Sequence, residues 1–156
     1  MAMRIHILCV TRRPADWVAR GAEEYLKRFS GQLDVRVTEI APAGPTPNRS
    51  AGLGKEAAKL QRAIPRTAHT IALEERGQSW STKQLAGELQ RWRGEYNDVV
   101  CIIGGAAGLA PTLVDAADRR WSLSALTLPH QLVRVIVLEQ LYRAWSLLNN
   151  HPYHRE

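Results

Sequence analysis

Apolar runs and helically spaced apolar stripes alternate along this chain. Four apolar runs predict strands: residues 4–10, 33–40, 69–74 and the run DVVCII from residue 98. The second run alternates apolar with polar residues, as a half-exposed strand does, and the fourth is the most apolar. Strands that alternate with helices predict the α/β class, with a mainly parallel sheet and helices on both faces.

Three helices are predicted between these strands. Pro14 begins the first and Gly31 ends it, and Ser81 with Gln84 forms a capping box at the start of the third. Their apolar stripes are Val18, Ala22, Tyr25 and Phe29; Leu53, Ala57, Leu60 and Ile64; and Leu85, Leu89 and Trp92. Residues 41–52 hold three prolines and two glycines and are predicted to form a loop.

Size and charge set the broad class. With 156 residues, 45% of them apolar and 23% charged, the whole chain (1–156) is predicted to be a single domain. The net charge is +6, carried by 17 Arg and only 4 Lys. This bias leans towards a polyanionic partner, because guanidinium groups bind phosphates bidentately, but simple solubility explains it equally well. Lys55, Lys59 and Arg62 share one face of the second helix, for which an ordinary solvated face is the favoured interpretation.

The two cysteines and the first apolar run indicate the compartment. Cys9 and Cys101 each lie inside an apolar run, which is typical of buried, reduced thiols rather than of a disulfide or a ligand pair. The first apolar run has only six residues and is interrupted by His6, too short for a signal-peptide core or a membrane span. We therefore expect a soluble, cytoplasmic protein with no membrane segment.

A glycine loop, GGAAG at residues 104–108, follows the most apolar strand. Glycines at the carboxyl end of a strand let the backbone approach a ligand, and open α/β sheets bind nucleotides at this edge. The loop is neither GxGxxG nor a phosphate loop, so a standard dinucleotide or ATP site is disfavoured. A structural turn remains an alternative at this point.

The last third of the chain carries a second candidate segment and a long helix. Residues 122–128 are small and apolar with three hydroxyls, and such a segment can offer backbone groups to an adenine edge. Pro129 marks the start of the helix, and apolar residues between 133 and 148 exceed what one core face needs. We expect part of this helix to pack against a second subunit, with Glu139 and Arg143 paired at i, i+4.

Several motifs together resemble one known family. The stretches IIGGAAG, WSLSALTLPH and LVRVIVLEQLYRAWSLLNNHPYH, with DWV and EYLKRF near the start, are similar to the ribosomal large subunit methyltransferase H family of the SPOUT superfamily. The resemblance implies a trefoil knot in the C-terminal part, a homodimer, and S-adenosyl-L-methionine as methyl donor. It also implies methylation of N3 of a pseudouridine in 23S rRNA within the assembled ribosome.

Motif correspondence assigns site residues. The residues expected to contact the methyl donor are Leu73, Gly104, Gly105, Gly108, Leu123, Ser124, Ala125, Leu126, Thr127 and Leu128. The conserved tail of the family corresponds to Tyr153, His154 and Arg155. Two departures matter: Ala106 and Ala107 replace proline and glutamate in the glycine loop, and Ala58 replaces a glutamate in the second helix. No acidic catalyst is therefore expected in the loop.

The reaction needs a group that deals with an imide proton. A base could remove it, or a guanidinium could stabilise the developing anion, and the candidates are His154, Arg155, Tyr153 and Arg143. A zinc site at His151 and His154 is not expected, because the sequence nearby offers no further ligands. Free rRNA is expected to be a poor substrate, since the available phosphate contacts are few. A non-catalytic RNA-binding or ribosome-binding module and another nucleotide-binding α/β enzyme remain as alternatives.

Overall fold

The computed structural model describes residues 3–29, 31 and 33–155, without the side chains of His154 and Arg155. The strands are β1 (Met3–Val10), β2 (Leu33–Ile40), β3 (His69–Ser79), β4 (Asp98–Ile103) and β5 (Arg119–Ser122). The helices are α1 (Asp16–Leu26), α2 (Arg49–Ala63), α3 (Thr82–Glu95), α4 (Pro111–Ala116) and α5 (His130–Leu148), followed by the 3-10 turn Pro152–Arg155. All strand pairs are parallel, in the order β2-β1-β4-β3-β5. The predicted α/β class is confirmed.

The burial of each strand follows its place in the sheet. Every residue of β4, the central strand, is buried, which explains its unbroken apolar sequence. The edge strand β2 alternates instead, because one of its faces meets solvent. Cys9 and Cys101 are buried and free, and burial raises their pKa values to about 11 and about 12.

Helices cover both faces of the sheet. One apolar cluster packs α1, α3 and α5 on one face, with Trp92 and Leu138 fully enclosed. The other cluster packs α2 and α4 on the opposite face through Leu60 and Leu113. The capping box of α3 is present: the Ser81 hydroxyl accepts from the Gln84 amide, and the Gln84 side chain accepts from the Ser81 amide.

A polar cluster joins the amino ends of two strands. His6 and Arg4 lie on β1, and Asp98 lies on β4. The Asp98 Oδ1 atom is 2.9 Å from His6 Nε2 and accepts a hydrogen bond from Arg4 Nε at 2.9 Å. The hydrogen bond with His6, followed by that with Arg4, holds the pKa of the Asp98 carboxyl below its ordinary value. The ionised carboxylate therefore links the two central strands.

The prediction of elements was wrong at three places. Residues 49–52, predicted as loop, are helical because the Asn48 side chain caps α2 by accepting from the Ala51 amide at 2.8 Å. Helix α1 ends at Leu26 rather than near Gly31, although Phe29 still packs on the core. Strand β5 was not predicted at all.

Helix α5 is 19 residues long and is buried along one side. Its buried side, including Val137, Leu141 and Ala144, packs on the sheet, while apolar residues such as Val135 and Ile136 are only half-buried in the single chain. The predicted pair is present, since Arg143 Nη2 lies 2.8 Å from Glu139 Oε2. Within the described ranges, no helix combines the length and apolarity needed to cross a membrane.

Candidate active site

A cleft of about 1020 Å³ opens at the carboxyl edge of the sheet. Its walls come from residues 73–76 of β3, 103–109 after β4, and parts of 120–130 between β5 and α5. The carboxyl ends of neighbouring parallel strands meet at one edge, where open α/β sheets bind their ligands. The position of the cleft is therefore a consequence of the strand directions.

The cleft collects most of the residues for which a methyl-donor contact is predicted. Nine of these ten residues line it: Leu73, Gly104, Gly105, Gly108, Leu123, Ser124, Leu126, Thr127 and Leu128. The tenth, Ala125, is exposed and lies outside the lining. The three segments named from sequence motifs thus meet around one cavity.

The glycine loop is a tight turn that depends on Gly104 and Gly108. The Gly108 amide donates to the Gly105 carbonyl at 3.0 Å, and Gly108 has a φ of 81°. A Cβ at Gly104 would lie 2.5 Å from the Gly108 carbonyl carbon and oxygen. Arg49 at the start of α2 donates from Nη2 to the Ala107 carbonyl at 2.6 Å, which ties the loop to that helix.

The segment 123–128 is neither helix nor strand. The Ser124 hydroxyl accepts from the Leu126 amide at 2.9 Å, and the Ser122 hydroxyl donates to the Ser124 carbonyl at 3.1 Å. Leu126 is 71% exposed, unusual for so large an apolar side chain. Backbone groups that take no part in a helix or a sheet ladder can pair with a ligand, which suits this wall of the cleft to recognising one.

The predicted catalytic residues Tyr153 and Arg143 meet at a different place. The Tyr153 hydroxyl donates to Glu139 Oε2 at 2.9 Å and lies 3.2 Å from the Tyr25 hydroxyl, while the Arg143 guanidinium lies 4.9 Å from the Tyr153 ring centre. Burial, the hydrogen bond with Tyr25 and the Glu139 carboxylate raise the pKa of Tyr153 well above its ordinary value. Tyr153 is therefore protonated at neutral pH and is unsuited to act as a base.

This tail cluster, formed by Tyr25, Glu139, Arg143 and Tyr153, does not line the cleft of the same chain. His130 lines the cleft at the start of α5, and neither Arg143 nor Tyr153 does. Val133 is the last α5 residue on the cleft wall, and at about 1.5 Å per helical residue Glu139 lies roughly 9 Å and Arg143 roughly 15 Å farther along the axis. The side chains of His154 and Arg155, the other two candidates, lie outside the described residues.

Comparison with known proteins decides the family. The family described as "Predicted SPOUT methyltransferase" matches residues 3–154. The chain belongs to the SPOUT methyltransferase family. The resemblance inferred from sequence motifs is thereby confirmed, and the family is one of knotted folds. The position of the knot in this SPOUT chain stays a prediction.

Similar SPOUT proteins cover the chain almost completely. Ribosomal RNA large subunit methyltransferase H of Nitrosococcus oceani is 48% identical over 155 residues, 98% of this chain and 99% of the relative. The proteins of the same name from Paraburkholderia phymatum and Burkholderia mallei are 46% and 43% identical, with the same coverage. These relatives therefore match the cleft and the tail alike, not one motif alone.

Sequence reasoning missed the charged residues of the SPOUT cleft. Arg76 and Arg120 line it, together with Glu74, Glu75 and Asp115. Most of them lie on β5 or in the irregular part of β3, where no apolar pattern points to a site. The doublet of arginines directly before WSLSALTL was the available signal. Among the described residues, no group of three or more His, Cys, Asp or Glu could hold a metal ion.

Proposed function

We propose that this chain transfers a methyl group from S-adenosyl-L-methionine to N3 of a pseudouridine in 23S rRNA, acting on the assembled ribosome as a cytoplasmic homodimer. The relatives named above are large-subunit rRNA methyltransferases. The observation that carries the proposal is the cleft, because it gathers Leu73, the glycine loop and 123–128 around one cavity.

The lining of the cleft fits the proposed donor. Gly104 and Gly108 bring bare backbone to the cavity, and an added Cβ at Gly104 would meet Gly108 backbone. Leu73, Leu128 and Val133 give apolar walls to an adenine ring, while irregular backbone at 123–128 can pair with its edge. The donor supplies an electrophilic methyl group, so the protein mainly has to align donor and acceptor.

The tail residues play different roles in the reaction at the acceptor base. Tyr153 stays protonated, and Glu139 orients both the Tyr153 hydroxyl and the Arg143 guanidinium. A guanidinium stabilises an anion that develops on the acceptor base, and Arg143 and Arg155 are the candidates for this role. His154 has the side chain suited to accept the imide proton near neutral pH.

The tail acts on the cleft of a second subunit in this proposal. On α5 the cleft wall ends at Val133, roughly 9 Å before Glu139, which binds Tyr153, and roughly 15 Å before Arg143, so the tail cluster of one chain does not line its own cleft. The half-buried apolar residues of α5 offer a surface for the second copy. A dimer would then place the tail of each subunit beside the cleft of the other.

Calorimetry with S-adenosyl-L-methionine and methylation of unmodified ribosomes test the reaction. Donor binding and transfer to a single pseudouridine are expected, with much slower transfer to free rRNA. Absence of binding at millimolar donor would refute the proposal. Binding of ATP instead would favour another nucleotide enzyme, and ribosome binding without donor binding would favour a non-catalytic module.

Mixed dimers test the role of the tail across subunits. One partner carries Gly104→Val, which blocks the glycine loop, and the other lacks residues 153–156. Each homodimer should be inactive, whereas the mixed dimer should recover activity, because one intact cleft meets one intact tail. Recovery is not expected if cleft and tail must belong to the same chain. His154→Ala and Arg155→Ala then separate the two side chains; wild-type turnover in both would show that neither is catalytic.

A further inference from the structure

Two arginines that line the cleft take no part in the ion pairs of the described residues. Among the residues that the structure describes, seven arginines pair with a carboxylate: Arg4, Arg28, Arg36, Arg91, Arg119, Arg134 and Arg143. Arg76 and Arg120 are exposed on the cleft wall and, within the described residues, make no ion pair and no side-chain hydrogen bond. Their side chains are therefore exposed to solvent on the wall of the cleft.

Strand alternation gives the two neighbouring arginines of β5 different surroundings. Arg119 lies 3.2 Å from Glu88, donates to Gln78 at 2.7 Å, and stacks over Trp80, all on the side of α3. Arg120 points to the other face, since successive side chains of a strand alternate. The doublet thus divides into one structural arginine and one that lines the cleft.

An irregular stretch of β3 brings Gly77, the chain neighbour of Arg76, against the backbone of Arg120. Leu73 and Gln78 both pair with Trp121, so residues 74–77 leave the ladder and return to the same partner. A Cβ at Gly77 would lie 2.7 Å from the Arg120 carbonyl carbon, which means that the two backbones touch. The Glu74 carboxylate fixes the stretch by accepting from the Arg76 amide at 3.0 Å.

We propose that Arg76 and Arg120 bind backbone phosphates of the acceptor RNA at the mouth of the cleft. This inference rests on the proposed function and adds residues to it. Two guanidinium groups on backbone segments that touch, both without carboxylate partners in the described part of the chain, match the charge of a nucleic-acid backbone better than that of a neutral ligand. The cleft carboxylates Glu74, Glu75 and Asp115 suit the other reactant, because the methyl donor carries a cationic sulfonium.

Arg76→Gln, Arg120→Gln and the double variant test the proposal, with Arg93→Gln as matched control. Arg93 is an exposed arginine near the end of α3, also without an ion pair in the described part of the chain, and it does not line the cleft. Arg49 is not used, because its contact with the Ala107 carbonyl supports the glycine loop. All variants are compared by sedimentation binding to unmodified ribosomes, by methyl transfer, and by calorimetry with S-adenosyl-L-methionine.

Each cleft variant should weaken ribosome binding and raise the KM for ribosomes about tenfold, with kcat and donor affinity close to wild type. The slope of log affinity against log salt should become shallower by about 0.7 to 0.9 per arginine. Ribosome binding equal to that of Arg93→Gln, or a loss confined to donor affinity, would overturn the proposal. Absence of methyl transfer by the wild-type protein would instead count against the proposed function. Sedimentation binding to ribosomes would still show whether the two arginines contact RNA.

Discussion

Replacing Gly104 by alanine is the sharpest test of whether the glycine loop binds the methyl donor. The new Cβ would lie 2.5 Å from the Gly108 carbonyl carbon and oxygen, 0.9 Å inside the 3.4 Å of an ordinary contact. Both atoms belong to the backbone, so no side-chain rotation relieves the overlap, and the loop itself must move. Overpacking of this kind costs about 1 to 3 kcal/mol.

The predicted effect appears in two measurements. The melting temperature should fall by about 3 °C for each kcal/mol lost. The dissociation constant for S-adenosyl-L-methionine in calorimetry should rise at least tenfold, about 1.4 kcal/mol, because the backbone that contacts the donor has shifted. Gly105→Ala provides a milder step, since its Cβ would lie 3.3 Å from Val10 Cγ1.

Gly87→Ala on α3 is the matched control. An added Cβ meets nothing within 4 Å there, and alanine favours a helix interior by about 0.5 to 1 kcal/mol, so the control should melt slightly higher and bind the donor normally. Donor affinity should therefore fall in the order Gly87, Gly105, Gly104. Wild-type affinity in a folded Gly104→Ala protein would refute the reasoning.

Three further predictions concern polar contacts. Tyr153→Phe removes the hydroxyl that donates to Glu139, so thermal melting should show a loss of about 1 kcal/mol of stability. The same variant should transfer methyl groups more slowly, with unchanged affinity for the donor. Glu39→Gln leaves Arg134, 3% exposed, without its carboxylate and should cost about 1 to 2 kcal/mol in urea unfolding, less than for a fully buried pair because Glu39 is 40% exposed. Asp98→Asn should lower the melting temperature at pH 7. Because the folded pKa of Asp98 is depressed, this deficit should shrink as the pH of the melts falls below about 4.

Much of the sheet was predictable, because burial leaves a direct pattern. The central strand β4 is buried throughout and apolar after Asp98, and β2 alternates apolar with polar residues because it is only partly buried. Strand β5 left no such pattern: it has four residues, two of them arginines, and it is a strand only because β3 pairs with it. The order of strands likewise depends on pairings between distant residues, which periodicity does not encode.

The residues of the candidate site likewise fall into two groups: those that a local sequence motif identifies and those that only the fold brings together. Leu73, the glycine loop and 123–128 could be named because each has a local motif, and the fold then places them together. Arg76 and Arg120 could not be named, since their proximity depends on the departure of β3 from its ladder between Leu73 and Gln78. The long helix after Pro129 was predicted, but the position of the cleft at its start and of the tail cluster near its end depends on the fold.

The burial of both cysteines has a practical consequence for experiments in solution. Cys9 and Cys101 are 3% and 0% exposed, and their raised pKa values keep them as thiols. A thiolate is the species that maleimide and iodoacetamide reagents attack, so the native thiols should not react while the protein is folded. A cysteine introduced at exposed Asn150 would then be the single labelled position, and a fluorophore there could report movement of the tail when a ribosome binds.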